Sequence, residues 1–121
     1  MPGFGDGDID VCHNSGFSIF ISTQSNTLYW AVFIKNEKQV RWPTRIRYTD
    51  KDAEDVAAGI MSTPVTETVV FGELWKSRFK SGLVPIEEGV LNHWHSGRIV
   101  LVGDAAHKVS NEYALFIFAW C

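Results

Sequence analysis

The stretch GRIVLVGDAAH, residues 97–107, is the part of the sequence that decides the fold. Arg98 is followed by four aliphatic residues, which predict a buried strand. Gly103 allows a close turn of the backbone, and Asp104 then places a carboxylate at the carboxyl end of that strand. Ligands of open α/β folds bind just outside such strand ends. A Gly-Asp pair alone would indicate only an ordinary turn, but the complete string is far more specific.

The complete string resembles the second flavin-contacting motif of FAD-dependent monooxygenases of the aromatic-hydroxylase-like (PHBH-type) family. The resemblance implies that Asp104 accepts hydrogen bonds from the ribityl chain of FAD. It also implies that Gly103 keeps this wall small enough for the cofactor to lie against it. For His107 the motif suggests no more than packing against the next element or capping it.

The resemblance extends upstream over roughly residues 10–108. Three further segments look like the fungal subgroup that modifies terpenoid, meroterpenoid and indole-diterpene secondary metabolites: FGELW at 71–75, LVPIEEGV at 83–90 and HWHSGR at 93–98. These enzymes hydroxylate or epoxidise small hydrophobic substrates such as terpenoids, with FAD as cofactor and NADPH or NADH as reductant. The resemblance therefore implies an FAD-dependent monooxygenase, and no residue of the chain can be named as its catalytic acid or base.

Parts of that family's pattern are missing from this sequence. No strand is followed by Gly-x-Gly-x-x-Gly, and GFGDG at 3–7 has the wrong spacing, so the nucleotide-cradling βαβ unit is absent. Where the family continues into a Gly-x-Gly segment, this chain reads KVSNEYALFIFAWC at 108–121. The codons for residues 109–110 can contain an intron's 5′ splice donor, so we interpret the last dozen residues as read-through of an unspliced intron or as the product of a gene decayed at that junction. The expectation is a truncated enzyme that binds FAD poorly unless a complementing chain completes the fold.

The pattern of the remaining sequence predicts an α+β fold. Residues 17–21 and 28–34 are rich in β-formers and are separated by a turn at 23–26, which predicts a hairpin. Thr49 begins a helix as its N-cap, and Ser62-Thr63-Pro64 ends it. Further elements are predicted as follows: Arg45 to Tyr48 as an extension of the sheet, Glu73 to Phe79 as a short helical turn, and Leu83 to Val90 as a strand.

These elements divide the chain into four predicted regions. They are a flexible N-terminus (1–10), a partial substrate-domain region (11–96), the FAD-contacting strand with its Gly-Asp motif (97–108), and an aberrant apolar tail (109–121). The resemblance implies that the antiparallel sheet walls the substrate pocket and that the strand returns to the FAD-binding domain. The predicted whole is an incomplete PHBH-like fold.

Composition limits the classes of function. The 121 residues allow at most one small domain, and 45% of them are hydrophobic, which is typical of a globular chain. A net charge of −3 without a basic block argues against a nucleic-acid partner. Cys12 and Cys121 form no Cys-x-x-Cys, and with no signal peptide apparent a reducing, cytoplasmic location is expected. The apolar run at 113–120 is far shorter than the roughly 20 residues that span a bilayer, so an exposed, aggregation-prone end is expected. Complete relatives could nonetheless associate with a membrane.

Other candidate sites are weaker. His93 and His95 would share one face of a strand, but two ligands do not make a metal site. The sequence DGDID at 6–10 lacks the later residues of a calcium loop. Glu87 and Glu88 would point to opposite faces of a strand, and no hydrolase motif is present. Surface histidines and solvated carboxylates are therefore expected, and no metal.

Two further functions stay open at this point. One is a non-enzymatic α+β module that binds a hydrophobic ligand or a partner protein, and the other is an inactive relic. The tryptophans do not separate these alternatives, because aromatic residues line pockets and fill cores alike. The four in question are Trp30, Trp42, Trp75 and Trp94.

Overall fold

The N-terminal half of the chain forms an antiparallel meander. The computed structural model describes residues 4–25, 27–35, 40–41, 43–108 and 115–120. Strands β1 (Ile9–Asn14), β2 (Phe17–Gln24) and β3 (Thr27–Ile34) pair in sequence order. The predicted hairpin is confirmed, because β2 and β3 carry the alternating β-branched and aromatic residues that favour a half-buried strand. Asn26, in the predicted turn, lies outside the described residues.

Two distant segments complete a five-stranded sheet in the order β1-β2-β3-β9-β4. Strand β4 (Lys80–Pro85) lies at one edge, and β9 (Leu115–Trp120) lies between β3 and β4, antiparallel to both. Ile117 is paired with Val32 on one side and with Leu83 on the other. The main chain of residues 115–120 is thus paired on both edges, whereas the exposed, apolar character of the predicted tail stays a prediction. Residues 109–114 and 121 of the predicted tail lie outside the described part.

The N-terminal residues are tied to the β2–β3 end of the meander. The N–H of Gly7 donates to the Thr23 carbonyl at 3.1 Å, and the Thr23 N–H donates to the Asp8 carbonyl at 3.1 Å. A carboxylate oxygen of Asp6 accepts from the Ser25 N–H at 3.0 Å. Strand β1 then begins at Ile9. Residues 6–8 are therefore bonded to the meander, and the flexibility of residues 1–10 stays a prediction.

Two helices cover one face of the sheet. Helix α1 (Asp50–Ala58) begins after the predicted N-cap and ends four residues before the predicted stop. Helix α2 (Phe71–Ser77) overlaps the helical turn predicted at 73–79 but begins and ends two residues earlier. The α2 residue Gly72 packs so closely on the loop that an added Cβ would lie 3.0 Å from the Met61 carbonyl oxygen. Residues 45–48 form no strand, so their predicted addition to the sheet is wrong. Within the described residues, neither helix has the length and apolar character that crossing a bilayer requires.

The core lies between the helices and the inner face of the sheet. Its centre is an aromatic cluster of Trp30, Phe71 and Trp75: the Trp30 and Phe71 rings meet edge to face with centroids 5.1 Å apart, and the two indoles lie 6.0 Å apart. All three side chains are buried. Trp30 and Trp75 are thus core residues, whereas Trp42 lies outside the described part. The outcome is a small, strand-rich α+β fold with antiparallel sheets and two helices, as the sequence predicts.

The N-terminus of α1 is held by a reciprocal capping box. The Asp52 N–H donates to the Thr49 hydroxyl at 3.3 Å, while the Thr49 N–H and hydroxyl each donate to an Asp52 carboxylate oxygen at 2.6 Å. The bond from the Thr49 hydroxyl, and to a lesser extent the bond from the Thr49 N–H, lower the pKa of the Asp52 carboxyl from its usual value. The capping box therefore stabilises the ionised form of Asp52.

Replacing the cap tests this arrangement. Thr49→Ala should lower the free energy of unfolding by about 1 kcal/mol at neutral pH, because it leaves a helix N–H without its acceptor. Because the pKa of Asp52 is lower in the folded state than in the unfolded state, its ionised carboxylate stabilises the fold at pH values above the unfolded-state pKa. That contribution is lost as the pH falls through the folded-state pKa. Urea denaturation should therefore show that the difference in unfolding free energy between Thr49→Ala and wild type becomes smaller below about pH 4. Thr68→Ala, an exposed threonine outside any cap, serves as control, and an unchanged difference at low pH would contradict the role of Asp52.

Candidate functional site

Residues 87–108, here called the motif arm, lie outside the core. The arm contains two small antiparallel ladders: β5 (Gly89–Val90) with β8 (His107–Lys108), and β6 (His95–Ser96) with β7 (Ile99–Val100). Nearly all of its residues are exposed, and Ala106, 1% exposed, is the one that is buried. The arm is therefore held by its main-chain hydrogen bonds and a few ring contacts rather than by burial.

The aliphatic run before Gly103 is exposed. Ile99 is 70% exposed and Val102 is 75% exposed, and the strand itself extends over two residues only. The prediction of a buried strand is wrong, because β7 pairs on one edge with β6 and none of the described core elements covers its side chains. The segment is nevertheless extended up to Val102, whose φ of −135° and ψ of 158° lie in the β region.

The carboxylate of Asp104 stands on a single 3₁₀ turn, Gly103–Ala105, that follows this extended segment. Gly103 has a φ of +59°, a left-handed conformation that glycine adopts without strain. An added Cβ at Gly103 would meet no atom within 4 Å, so the turn requires this glycine for its backbone angle, and the space in front is open. Asp104 is exposed. The predicted close turn is confirmed, and both predicted site residues lie side by side at the end of the extended segment.

Three main-chain hydrogen bonds close the motif arm around this turn. The Ala106 N–H donates to the Gly103 carbonyl at 2.9 Å, and the Leu91 N–H donates to the Ala106 carbonyl at 2.9 Å. The Leu101 N–H donates to the Trp94 carbonyl at 2.7 Å. The turn that carries Asp104 is thus connected to both small ladders.

Trp94 is the residue of this site whose role the sequence did not indicate. Its indole N–H donates to the Leu91 carbonyl at 2.8 Å, and its ring stacks on the His107 ring with centroids 5.2 Å apart and an interplanar angle of 21°. Trp94 is 42% exposed and therefore does not belong to the core. No sequence pattern links Trp94 to His107, because the contact between their rings depends on how the arm folds back.

The other candidate residues are not assembled into a site. His93 and His95 are exposed, and the described residues include no group of three or more His, Cys, Asp or Glu side chains able to hold a metal ion. The Cys12 thiol donates to the Val65 carbonyl with a sulfur–oxygen distance of 3.2 Å. Burial, and secondarily the Asp10 charge, raise the pKa of this thiol, which keeps it protonated and a poor nucleophile.

The exposed Gly103–Ala105 turn with open space before Gly103 is the candidate site, and comparison with known proteins shows the family. Residues 9–115 match the family described as "FAD binding domain". The chain belongs to this FAD binding domain family. The resemblance noted from residues 97–107 is thereby confirmed.

Several fungal enzymes are similar to the chain over most of its length. The FAD-dependent monooxygenase DEP2 of Alternaria brassicicola is 48% identical over 117 residues, and DEP2 of Fusarium langsethiae is 44% identical; each alignment covers 95% of this chain and 22% of the relative. The FAD-dependent monooxygenase paxM of Penicillium paxilli is 32% identical over 91% of this chain and 23% of the relative. The chain thus spans less than a quarter of the length of these relatives. No solved structure matches it.

Proposed function

We propose that the chain supplies one cofactor-contacting part of an FAD-dependent monooxygenase. In this proposal Asp104 accepts hydrogen bonds from the ribityl hydroxyls of FAD, and Gly103 lets the cofactor approach the backbone. The observation that carries the proposal is the exposed Gly103–Ala105 turn after an extended segment, in a chain whose residues 9–115 belong to the FAD binding domain family.

The chemistry of the turn fits such a group. A carboxylate has acceptors only, so it suits a ligand that presents several hydroxyl donors. The open space before Gly103 leaves room for that ligand beside the backbone. When bound, FAD supplies the oxygen and electron chemistry of the reaction, with NADPH or NADH as the reductant. In this proposal the chain's own part is to bind and orient, and none of its described residues is assigned as a catalytic acid or base.

The hydrophobic substrate is proposed to lie against the sheet. Residues on the face of the sheet opposite the core include Ile9 and Val11 of β1 and Tyr29 of β3, all of them exposed. An apolar sheet face of this kind suits a small hydrophobic molecule such as a terpenoid. Under this proposal residues 11–96 are part of the substrate domain and residues 97–108 lead to the FAD-binding domain of an incomplete PHBH-like fold.

One contact does not bind a cofactor tightly. A charge-assisted hydrogen bond contributes about 1.5–3 kcal/mol, whereas nanomolar affinity needs roughly 12 kcal/mol. The parts present in the longer relatives, whether in one polypeptide or in a complementing chain, would supply the difference. We therefore expect little monooxygenase activity from these 121 residues by themselves. A reducing, cytoplasmic setting suits the free thiol of Cys12.

A segment exchange tests the proposal. Replacing the segment of the Alternaria relative that aligns with this chain by the aligned residues of this chain should give a yellow protein with near-stoichiometric flavin. Asp104→Asn in that protein keeps the shape and removes the charge, so the dissociation constant for FAD should rise roughly 10- to 150-fold, measured as flavin released on dialysis.

The control is Glu87→Gln, which neutralises another exposed carboxylate of the motif arm outside the turn. It should leave flavin retention unchanged. Equal flavin retention by Asp104→Asn and wild type would contradict the assignment of Asp104. A folded but colourless exchange protein would favour the non-enzymatic binding module.

A further inference from the structure

We propose that Trp94 is a positioning residue that fixes the Gly103–Ala105 turn and thereby the direction in which Asp104 presents its carboxylate. The functional part of this inference rests on the proposed role of Asp104 in contacting FAD. The structural part concerns how an exposed turn, with hardly any buried side chain of its own, keeps one conformation.

Trp94 joins three pieces of the motif arm, two of them through its indole and the third through its main-chain carbonyl. The indole N–H of Trp94 donates to the carbonyl of Leu91, the residue that follows β5, at 2.8 Å. Its face stacks on His107, the first residue of β8, at a centroid distance of 5.2 Å. Its own carbonyl accepts from Leu101, at the end of the extended segment, at 2.7 Å. Both ends of the segment from Leu101 to His107 are therefore held by this one residue.

This bracing matters because the main-chain bonds that hold the arm are few and its side chains are almost all exposed. The two ladders are two residues long on each strand, and a two-stranded ribbon of that size is marginal by itself. Ala106 is the one buried residue of the arm; its N–H donates to the Gly103 carbonyl within this segment, and its carbonyl accepts from the Leu91 N–H after β5. An aromatic stack within this distance range adds a directional contact that a small aliphatic residue would not replace.

The carboxylate is positioned usefully only if the turn is fixed. A hydroxyl-bearing ligand held by one carboxylate gains affinity when that group is preorganised, because less conformational freedom is lost on binding. Trp94 touches neither the carboxylate nor the open space before Gly103 in the contacts described above. It acts through His107 and through the main chain.

The test uses the full chain with uniform ¹⁵N labelling and compares Trp94→Ala with the conservative Trp94→Phe. In Trp94→Ala, amide hydrogen exchange at Ala106 and Leu91 should accelerate about 10-fold or more, because the stack and the indole hydrogen bond are both lost. Trp94→Phe keeps a ring to stack on His107 and should stay within about 3-fold of wild type. His93→Ala, which removes the neighbouring exposed ring, should leave exchange unchanged.

A titration with FAD at millimolar concentration gives the second readout. The FAD-induced amide shifts at Asp104 and Ala105 should be lost in Trp94→Ala and kept in Trp94→Phe, while amide protection in the five-stranded sheet stays the same in both. A purely structural role elsewhere in the chain would not produce that difference. If Trp94→Ala does not fold, His107→Ala removes the stack from the other side and should give the same local acceleration.

The outcomes separate the two proposals. Unchanged exchange at Ala106 in both Trp94→Ala and His107→Ala would overturn the positioning role, even if FAD shifts Asp104 in every variant. Accelerated exchange in Trp94→Ala, together with unchanged flavin retention when Asp104→Asn is made in the exchange protein, would uphold the bracing of the turn and count against the cofactor role of Asp104. Equal acceleration in His93→Ala would also overturn the inference, because it would show that the arm responds to any lost ring.

Discussion

Removing residues 109–121 should abolish cooperative folding of the chain. Strand β9 lies between β3 and β4, so its loss divides the five-stranded sheet into a meander and an isolated strand. The six residues of β9, paired along both edges, contribute about 5 kcal/mol or more to the free energy of unfolding. That is comparable with the total unfolding free energy of a small domain. Thermal denaturation followed by circular dichroism should show a sigmoidal transition for the full chain and none for the shortened one.

A point substitution separates the strand from the rest of the segment. Ile117→Pro removes one N–H from a strand that is bonded on both edges, so one ladder bond is lost and the carbonyl of a neighbouring strand loses its donor. We expect the free energy of unfolding to fall by about 3 kcal/mol. Ile117→Val retains the main-chain bonds and should cost no more than about 1.5 kcal/mol. A shortened chain or a proline variant that melts within a few degrees of wild type would show that β9 does not complete the sheet.

Phe71→Ala should lower the free energy of unfolding by about 3–5 kcal/mol. Phe71 is fully buried and meets both indoles of the aromatic cluster, so truncation leaves a cavity between Trp30 and Trp75. Urea denaturation followed by tryptophan fluorescence measures the loss as a fall in the transition midpoint at unchanged slope.

The matched control makes the same change at the surface. Phe79 is 83% exposed, so Phe79→Ala should change the unfolding free energy by less than about 1 kcal/mol. Equal losses in the two variants would mean that the cluster at Phe71 is not the centre of the core.

The elements predicted correctly from the sequence are those whose cause is local. The β2–β3 hairpin follows from β-forming runs on either side of a short polar turn, and α1 follows from Thr49 and Asp52, three residues apart. The turn at Gly103 likewise needs only its own backbone angle. Each of these features depends on residues adjacent in the sequence, so the pattern of residue types is sufficient to predict it.

The features that the sequence did not predict depend on distant partners. An apolar segment at 115–120 has the same composition whether it is an exposed end or a strand between two others, and only its pairing with β3 and β4 decides which it is. Residues 99–102, before Gly103, are equally apolar, yet none of the described core elements covers them. Trp94 could have belonged to a core or a pocket, and its contact with His107 depends on how the arm folds back.

The position of β9 has a consequence for how the protein is made. While a ribosome is still synthesising the chain, β3 and β4 have emerged but the strand that belongs between them has not. Both then present unbonded N–H and carbonyl groups along an edge, which can recruit strands from other nascent chains. Closing a contact across so much intervening sequence is also slow. Chaperone dependence and inclusion-body formation during rapid expression are therefore expected of this protein, even though the finished sheet has β9 in place.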